Sequence, residues 1–279
     1  NRGAGFTIQQ VIANIVSWPA FIVAGYLILA FNFDLGMRIA YTIALVAYFA
    51  AATLRIKLTE TLNSGNNDKR PNFLDALKEY PRSVREGLQV WAKVPKSAFY
   101  LFVAGVGVTS LVAGCQIYFV VYATDILGIE KFQWAIVMAF MSLSAAVPSI
   151  FAGRRMDVVG RKRFLILGFL CYTPAMLLFL YANFYMLLAA FFFFGLAQLL
   201  QTSSYQSLLG DLTPRDYRGK VIGCSQFFIY LSQAFVQLLM GILYAYVAPQ
   251  LPFILLAAFV VPSALFVYAK VSDPSFRQV

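Results

Sequence analysis

Four side chains towards the C-terminal end, Gln226, Tyr230, Gln233 and Gln237, stand four, three and four residues apart. At 3.6 residues per turn that spacing lines them along one helix face. Gln10, Asn14 and Ser17 repeat the start of the pattern earlier in the chain, while Gln116, Gln198 and Gln201 stand inside other apolar runs. Amides and hydroxyls in such places have two uses. They can bond to one another between helices, at about 0.6 to 2 kcal/mol each, or they can line a cavity and hydrogen-bond a small solute. For a single residue the first use is the simpler; a stripe three turns long fits the second. Acid–base or nucleophilic catalysis is not among their options. The chain has no histidine, its charged residues fall outside the middles of the apolar runs, and Cys115, Cys171 and Cys224 lack the paired spacing of a metal or disulfide site. The expectation is a non-enzyme with no metal and no cofactor.

The elements that must carry these residues are long and apolar. Of 279 residues, 61% are hydrophobic and 12% charged, about half the roughly 25% of a soluble domain. A net charge of +10 could suggest nucleic acid. The bases lie between apolar runs, however, which reads as a basic membrane face and excludes a nucleic-acid partner. A spanning helix needs about 20 apolar residues. Eight runs qualify, at approximately 7–31, 37–54, 98–123, 132–152, 164–182, 184–209, 221–248 and 251–269. The fold expected is all-α: a polytopic transmembrane helical bundle. Of the 22 Lys and Arg, only Arg38 and Lys131 fall on one set of connections, and all others fall on the alternate set and the two ends. By the positive-inside rule that richer set is cytoplasmic, giving a multi-pass protein of the plasma (inner) membrane with both ends of this chain inside. Every third run, the second, fifth and eighth, carries no Asn or Gln in its interior and is expected to face lipid.

The longest polar segment, 57–96, is the expected cytoplasmic linker. Its "NSGNNDKRPN" core is a loop by composition. Asn72 can cap a first helix, and Pro81 can start a second on which Val84, Leu88 and Trp91 share a face. That helix would lie on the membrane surface or against the cytoplasmic ends of the spans.

The first and seventh runs resemble one another. Arg2 matches Arg218, Gly3 matches Gly219, Gln10 matches Gln226, Gly25 matches Gly241 and Leu27 matches Leu243. Both copies open a span at its cytoplasmic end, six spans apart, and parallel six-span repeats are a plan used by transporters. On that plan residues 1–56 are the last two spans of an N-terminal bundle, 97–279 are a six-span C-terminal bundle, and four spans precede this chain.

Between the fourth and fifth runs stands "GRRMDVVGRKR", Gly153 to Arg163, with five bases and one aspartate. It resembles the signature G-x-x-x-D-x-x-G-R-[KR]-[RK] of the major facilitator superfamily, with Gly153, Asp157, Gly160, Arg161, Lys162 and Arg163 in its fixed positions. "DLTPRDYRGKVIG", from Asp211 to Gly223, is similar to the P-x-x-x-R-G-x-x-x-G pattern of efflux-type members. "SWPAFIVAGY" keeps Pro19 but lacks the glycine before it and the Gly-Gly after it that mark proton-driven exporters. The resemblance implies a secondary transporter working by alternating access, with this chain as the last eight of twelve spans. It also implies that Asp157 contacts the start of a span in the opposite bundle and steadies the form closed to the cytoplasm. The repeat names that start as Arg2–Gly3, with Arg218–Gly219 as its counterpart.

The residues expected to contact solute are Gln10, Asn14, Gln116, Gln198, Gln201, Gln226, Tyr230 and Gln233. The latch group is Gly153, Asp157, Gly160, Arg161, Lys162 and Arg163 with Arg2, Gly3, Arg218 and Gly219. The activity expected is export of a small apolar or amphipathic solute. Uptake of a metabolite, uniport, and a non-transporting receptor or scaffold are the alternatives. Membrane lipid is the standing partner, and a coupling proton or ion would have to bind outside these spans, since no ionisable residue lies within them.

Overall fold

The computed structural model describes residues 2–56, 87–214 and 216–272; the side chains of 2–16, 56, 150–154 and 157–159 lie outside what it describes. Every long element among the described residues is an α-helix: α1 (Arg2–Ile56), α2 (Lys96–Asp125), α3 (Lys131–Val159), α4 (Arg161–Leu180), α5 (Phe184–Leu212), α6 (Arg218–Tyr246) and α7 (Leu251–Lys270). Each contains a stretch long and apolar enough to cross a membrane.

The first of them is not straight. At Asn32 the backbone leaves helical values for φ 63 and ψ 169, a region otherwise taken almost only by glycine. Beyond it Gly36 returns against its own helix: a Cβ there would meet the Leu27 carbonyl oxygen at 2.6 Å. Nine residues of straight helix would separate Leu27 from Gly36 by about 13 Å. The chain therefore turns back at Asn32, and α1 is two helical halves, 2–31 and 33–56. The second half shows almost every side chain to the outside, Tyr41, Leu45, Val46, Tyr48 and Phe49 among them. The second apolar run is thus outward-facing, but the fifth and eighth, α4 and α7, for which the sequence predicts the same, are not. They pack on one another and on α5 and α2, and α6 is the most exposed of the later helices instead.

The first half packs against α3. At their contact Gly25 has no room for a side chain, because a Cβ would overlap that of Ala135. Nearby, the Lys131 ammonium stands 4.1 Å from the centre of the Phe33 ring. In the six-helix unit α2 to α7, α4 packs on α5 and α7, α2 on α6 and α7, and α3 on α5, although α3 packs still more widely on α1. Lipid tails are as apolar as leucine, so interlocking shape rather than water release holds such helices together. Here much of that shape is aromatic. Phe119, Phe179, Phe191, Phe194 and Phe253 are all nearly or fully buried, and Phe119 meets Phe179 edge-on at 5.0 Å and Phe194 at 5.1 Å. Such pairs add about 0.5–1.5 kcal/mol to plain packing. The Phe191–Phe194 run is thus core for Phe191 and Phe194, while Phe192 points outward.

The basic stretch departs from the hairpin loop its composition suggests. Residues 153–159 complete the last turns of α3, and Gly160 alone breaks the helix before α4 begins at Arg161. Gly160 has φ 106 and ψ 133, a backbone that only glycine adopts without strain. Charge misleads here because a helix end leaving the membrane needs only its backbone hydrogen bonds, and polar side chains there sit in the interface.

Candidate functional site

Helix α6 carries the longest polar stripe, and it is also the least covered helix of the six-helix unit. Val221, Ser225, Ile229 and Met240 face inward and are buried. Leu231, Phe235, Leu238 and Ile242 are exposed on the other side. Between these faces run Gln226, Gln233 and Gln237, each half-buried, and Tyr230, which is 67% exposed. The stripe therefore borders the packed surface without being consumed by it. Towards its far end the helix meets α2: the Tyr118 hydroxyl donates to the Gln237 main-chain carbonyl at 3.4 Å and its ring stacks on Tyr244 at 5.1 Å.

Gln116 on α2 and Gln198 on α5 are also half-buried. Gln201 differs. It is 5% exposed, accepts a hydrogen bond from the Tyr172 hydroxyl at 2.6 Å and donates one to the Thr109 hydroxyl at 2.9 Å. Three helices, α2, α4 and α5, are joined there at the level of their middles. Gln201 thus takes the inter-helix use of a polar side chain. Sequence spacing could not separate it from Gln198, because Thr109 and Tyr172 lie far away in the chain. A second junction sits nearer the start of α6, where the Tyr205 and Ser225 hydroxyls share a hydrogen bond of 2.7 Å between α5 and α6. It fits only because residue 105 on α2, against which the Tyr205 ring lies, is glycine. The side chains of Gln10 and Asn14 lie outside the described residues, so their helix is placed and their contacts are not.

The basic stretch divides its work. Arg161 opens α4, a poor place for a cation, because the helix N-terminus is itself positive. Its guanidinium instead reaches the C-terminal end of α5, pairing with Asp211 and donating to the Ser207 carbonyl at 3.3 Å. Lys162 does the same for α7: its ammonium donates to the Tyr268 carbonyl at 2.9 Å and stands 5.3 Å from the Tyr268 ring centre. Both bases therefore satisfy carbonyls at negative helix ends. Arg163 is exposed. Gly153 and Asp157 fall in the last turns of α3, but the Asp157 side chain, like those of Arg2 and its neighbours, lies outside the described residues. At the counterpart position Arg218 is half-buried, its Nε is buried without a hydrogen-bond partner, and Gly219 has open space above it.

The linker contributes a contact that sequence reasoning missed. Residues 87–93 make a short helical turn whose buried positions are Gly87 and Val90, followed by Val94. Leu88, expected on the buried face with Trp91, is 48% exposed. The Trp91 indole N–H donates to the Cys224 sulfur of α6 at 3.3 Å, and its ring lies 4.4 Å from that of Phe102 on α2.

Among the described residues no group of three His, Cys, Asp or Glu could hold a metal ion. Helical spans, a polar stripe on an under-covered helix and a basic stretch tying helix ends together are the features of a membrane transporter. The family model described as Major Facilitator Superfamily matches residues 107–278. The chain belongs to the major facilitator superfamily. No curated protein matches it. As a superfamily member it is a multi-pass membrane transporter of small molecules, and the matched region takes in the basic stretch, α6 with its stripe, and most of the six-helix unit.

Proposed function

We propose that this chain is the six-span bundle and two further spans of an alternating-access secondary transporter that exports a small apolar or amphipathic solute. The solute is held at the midplane by Gln226, Tyr230 and Gln233 of α6 together with Gln10 and Asn14 of α1, and with Gln116 and Gln198. One observation carries the reading: the α6 stripe is only half covered by its own unit, whereas the comparable amide of Gln201 is buried and hydrogen-bonded through both its oxygen and its nitrogen. Amide and phenol groups beside exposed apolar side chains suit a solute that is mostly greasy with one or two polar atoms. The direction rests on the likeness of "DLTPRDYRGKVIG" to efflux-type members.

The latch belongs to the same proposal. The first half of α1 runs from the cytoplasmic side outward and α3 runs back, so the two are antiparallel. From the contact of Gly25 with Ala135, equal numbers of residues towards the cytoplasm lead to Gly3 on α1 and to Asp157 on α3. At equal rise per residue the two stand level. An aspartate beside the first turn of a helix gains about 0.3 to 2 kcal/mol from its exposed N–H groups, enough to bias one state of a two-state transporter.

The test is transport itself. Protein reconstituted in proteoliposomes is challenged with a panel of lipophilic and amphipathic fluorescent solutes, in both orientations. Movement that falls when Gln226 and Gln233 are changed to alanine supports the reading; movement indifferent to both changes removes the stripe from it. Uniport is the second reading, favoured by spans without a mid-membrane ionisable group. An imposed proton gradient separates the two, since uniport cannot accumulate its solute.

A further inference from the structure

The connection to the six-helix unit is docked rather than merely attached. Gly87, Val90 and Val94, spaced three and four apart, are buried, and Trp91 between them inserts where α2 and α6 meet at their cytoplasmic ends. Its ring lies against Phe102 at 4.4 Å and edge-on to Phe99 at 6.0 Å, both on α2, while its N–H reaches Cys224 on α6. A Cβ on Gly87 would stand 3.4 Å from the Cys224 Cβ, so two residues of the linker turn meet α6 at that cysteine. Phe102 and Phe228 close the same layer at 5.9 Å, and Lys93 lies 5.7 Å from the Tyr217 ring just before α6 starts.

Cys224 is two residues before Gln226, the first member of the stripe. We propose that Trp91 is a positioning residue: through Cys224 it sets how α6 leaves the cytoplasmic face, and so where the stripe points. On this proposal residues 87–94 are a rigid brace of the six-helix unit. The use made of the stripe rests on the transport reading; the brace itself does not.

Two measurements on the full chain in detergent micelles test it. The geometry at Gly87 is close to the Cβ separation of about 3.5–4.5 Å that a disulfide requires. Gly87→Cys is therefore expected to lose two free thiols on mild oxidation with copper phenanthroline, counted by maleimide labelling after denaturation. Adding Cys224→Ser is expected to abolish that loss. Persistence of both thiols in the single variant overturns the docked brace. For positioning, spin labels at the exposed Phe235 of α6 and Leu177 of α4 report the set of α6 within the unit. A single narrow distance is expected in the parent, a broadened or shifted one in Trp91→Ala, and partial recovery in Trp91→Phe, which keeps the ring contact and loses the N–H. These distances are read far below the unfolding temperature, so a general loss of stability would leave them unmoved. An unchanged distance in Trp91→Ala overturns positioning. Neither readout requires transport, so failure of the transport reading leaves the brace standing and failure of the brace leaves the transport reading to its own test.

Discussion

Gly25 and Ala135 meet so closely that no side chain larger than hydrogen fits on Gly25. This contact holds the first half of α1 against α3, and Lys131 over Phe33 lies beside it. In the bilayer such small-residue contacts are where helices approach by shape alone.

Gly25→Leu is expected to push α1 off α3, because the atoms nearest an added Cβ all belong to Ala135 and Phe132 of α3. Overpacking of this kind costs about 1–3 kcal/mol. Cysteines introduced at Phe33 and Lys131 report it: a short bifunctional maleimide should link them in the parent and not in the variant. Linking that survives would mean that α1 is held elsewhere.

The buried junction of Tyr172, Gln201 and Thr109 predicts a coupled loss. Tyr172→Phe leaves the Gln201 carbonyl oxygen without its donor, at a cost of about 1–3 kcal/mol for an unsatisfied buried group. Gln201→Leu removes both halves at once, and the double variant should cost less than the sum. Measured coupling between polar side chains in membrane helices averages about 0.6 kcal/mol, and unfolding in mixed micelles with rising SDS can resolve it. Strict additivity would show that the two side chains do not depend on one another.

Lys162 predicts a local rather than a global effect. Lys162→Met keeps the apolar stem and removes the donor to the Tyr268 carbonyl. Hydrogen exchange should accelerate in the last turn of α7, including the Val271 amide bonded to the Val267 carbonyl, with little change elsewhere. Equal acceleration throughout α7 would mean that the lysine stabilises the whole helix, and no acceleration that it caps nothing.

The apolar runs were legible in the sequence because a span must be long and apolar regardless of its neighbours; which would be least covered was not, since α6, and neither α4 nor α7, is the most exposed of the later helices. The basic stretch was legible as a motif but not as a shape: hydropathy ends α3 near residue 152, while its backbone bonds continue to Val159. Partners distant in the chain were hidden altogether. Arg161 finds Asp211, Trp91 finds Cys224, and Gln201 finds Tyr172 only once helices lie side by side. Leu88 shows a further limit. A helical wheel cannot tell which side of a short turn meets the protein, and here Gly87 and Val90 took the buried side because α6 approaches closely at Cys224.

Asp157 gives the prediction that bears most on mechanism. A positive-inside anchor has no use for an aspartate among five bases, and the proposed latch sets it level with Gly3. Asp157→Asn keeps the size and much of the hydrogen bonding, and removes the charge that the first turn of α1 favours. If the contact steadies the state closed to the cytoplasm, losing about 1 kcal/mol from that state shifts a two-state balance by roughly fivefold. Transport in proteoliposomes should slow by a comparable factor, while the unfolding midpoint in detergent moves little. A cysteine on the cytoplasmic half of the α6 stripe, at Gln226, should at the same time become more open to a water-soluble maleimide added from the cytoplasmic side. Slowed transport with unchanged labelling would place the effect of Asp157 in folding or insertion, and equal transport would leave the stretch as an anchor alone.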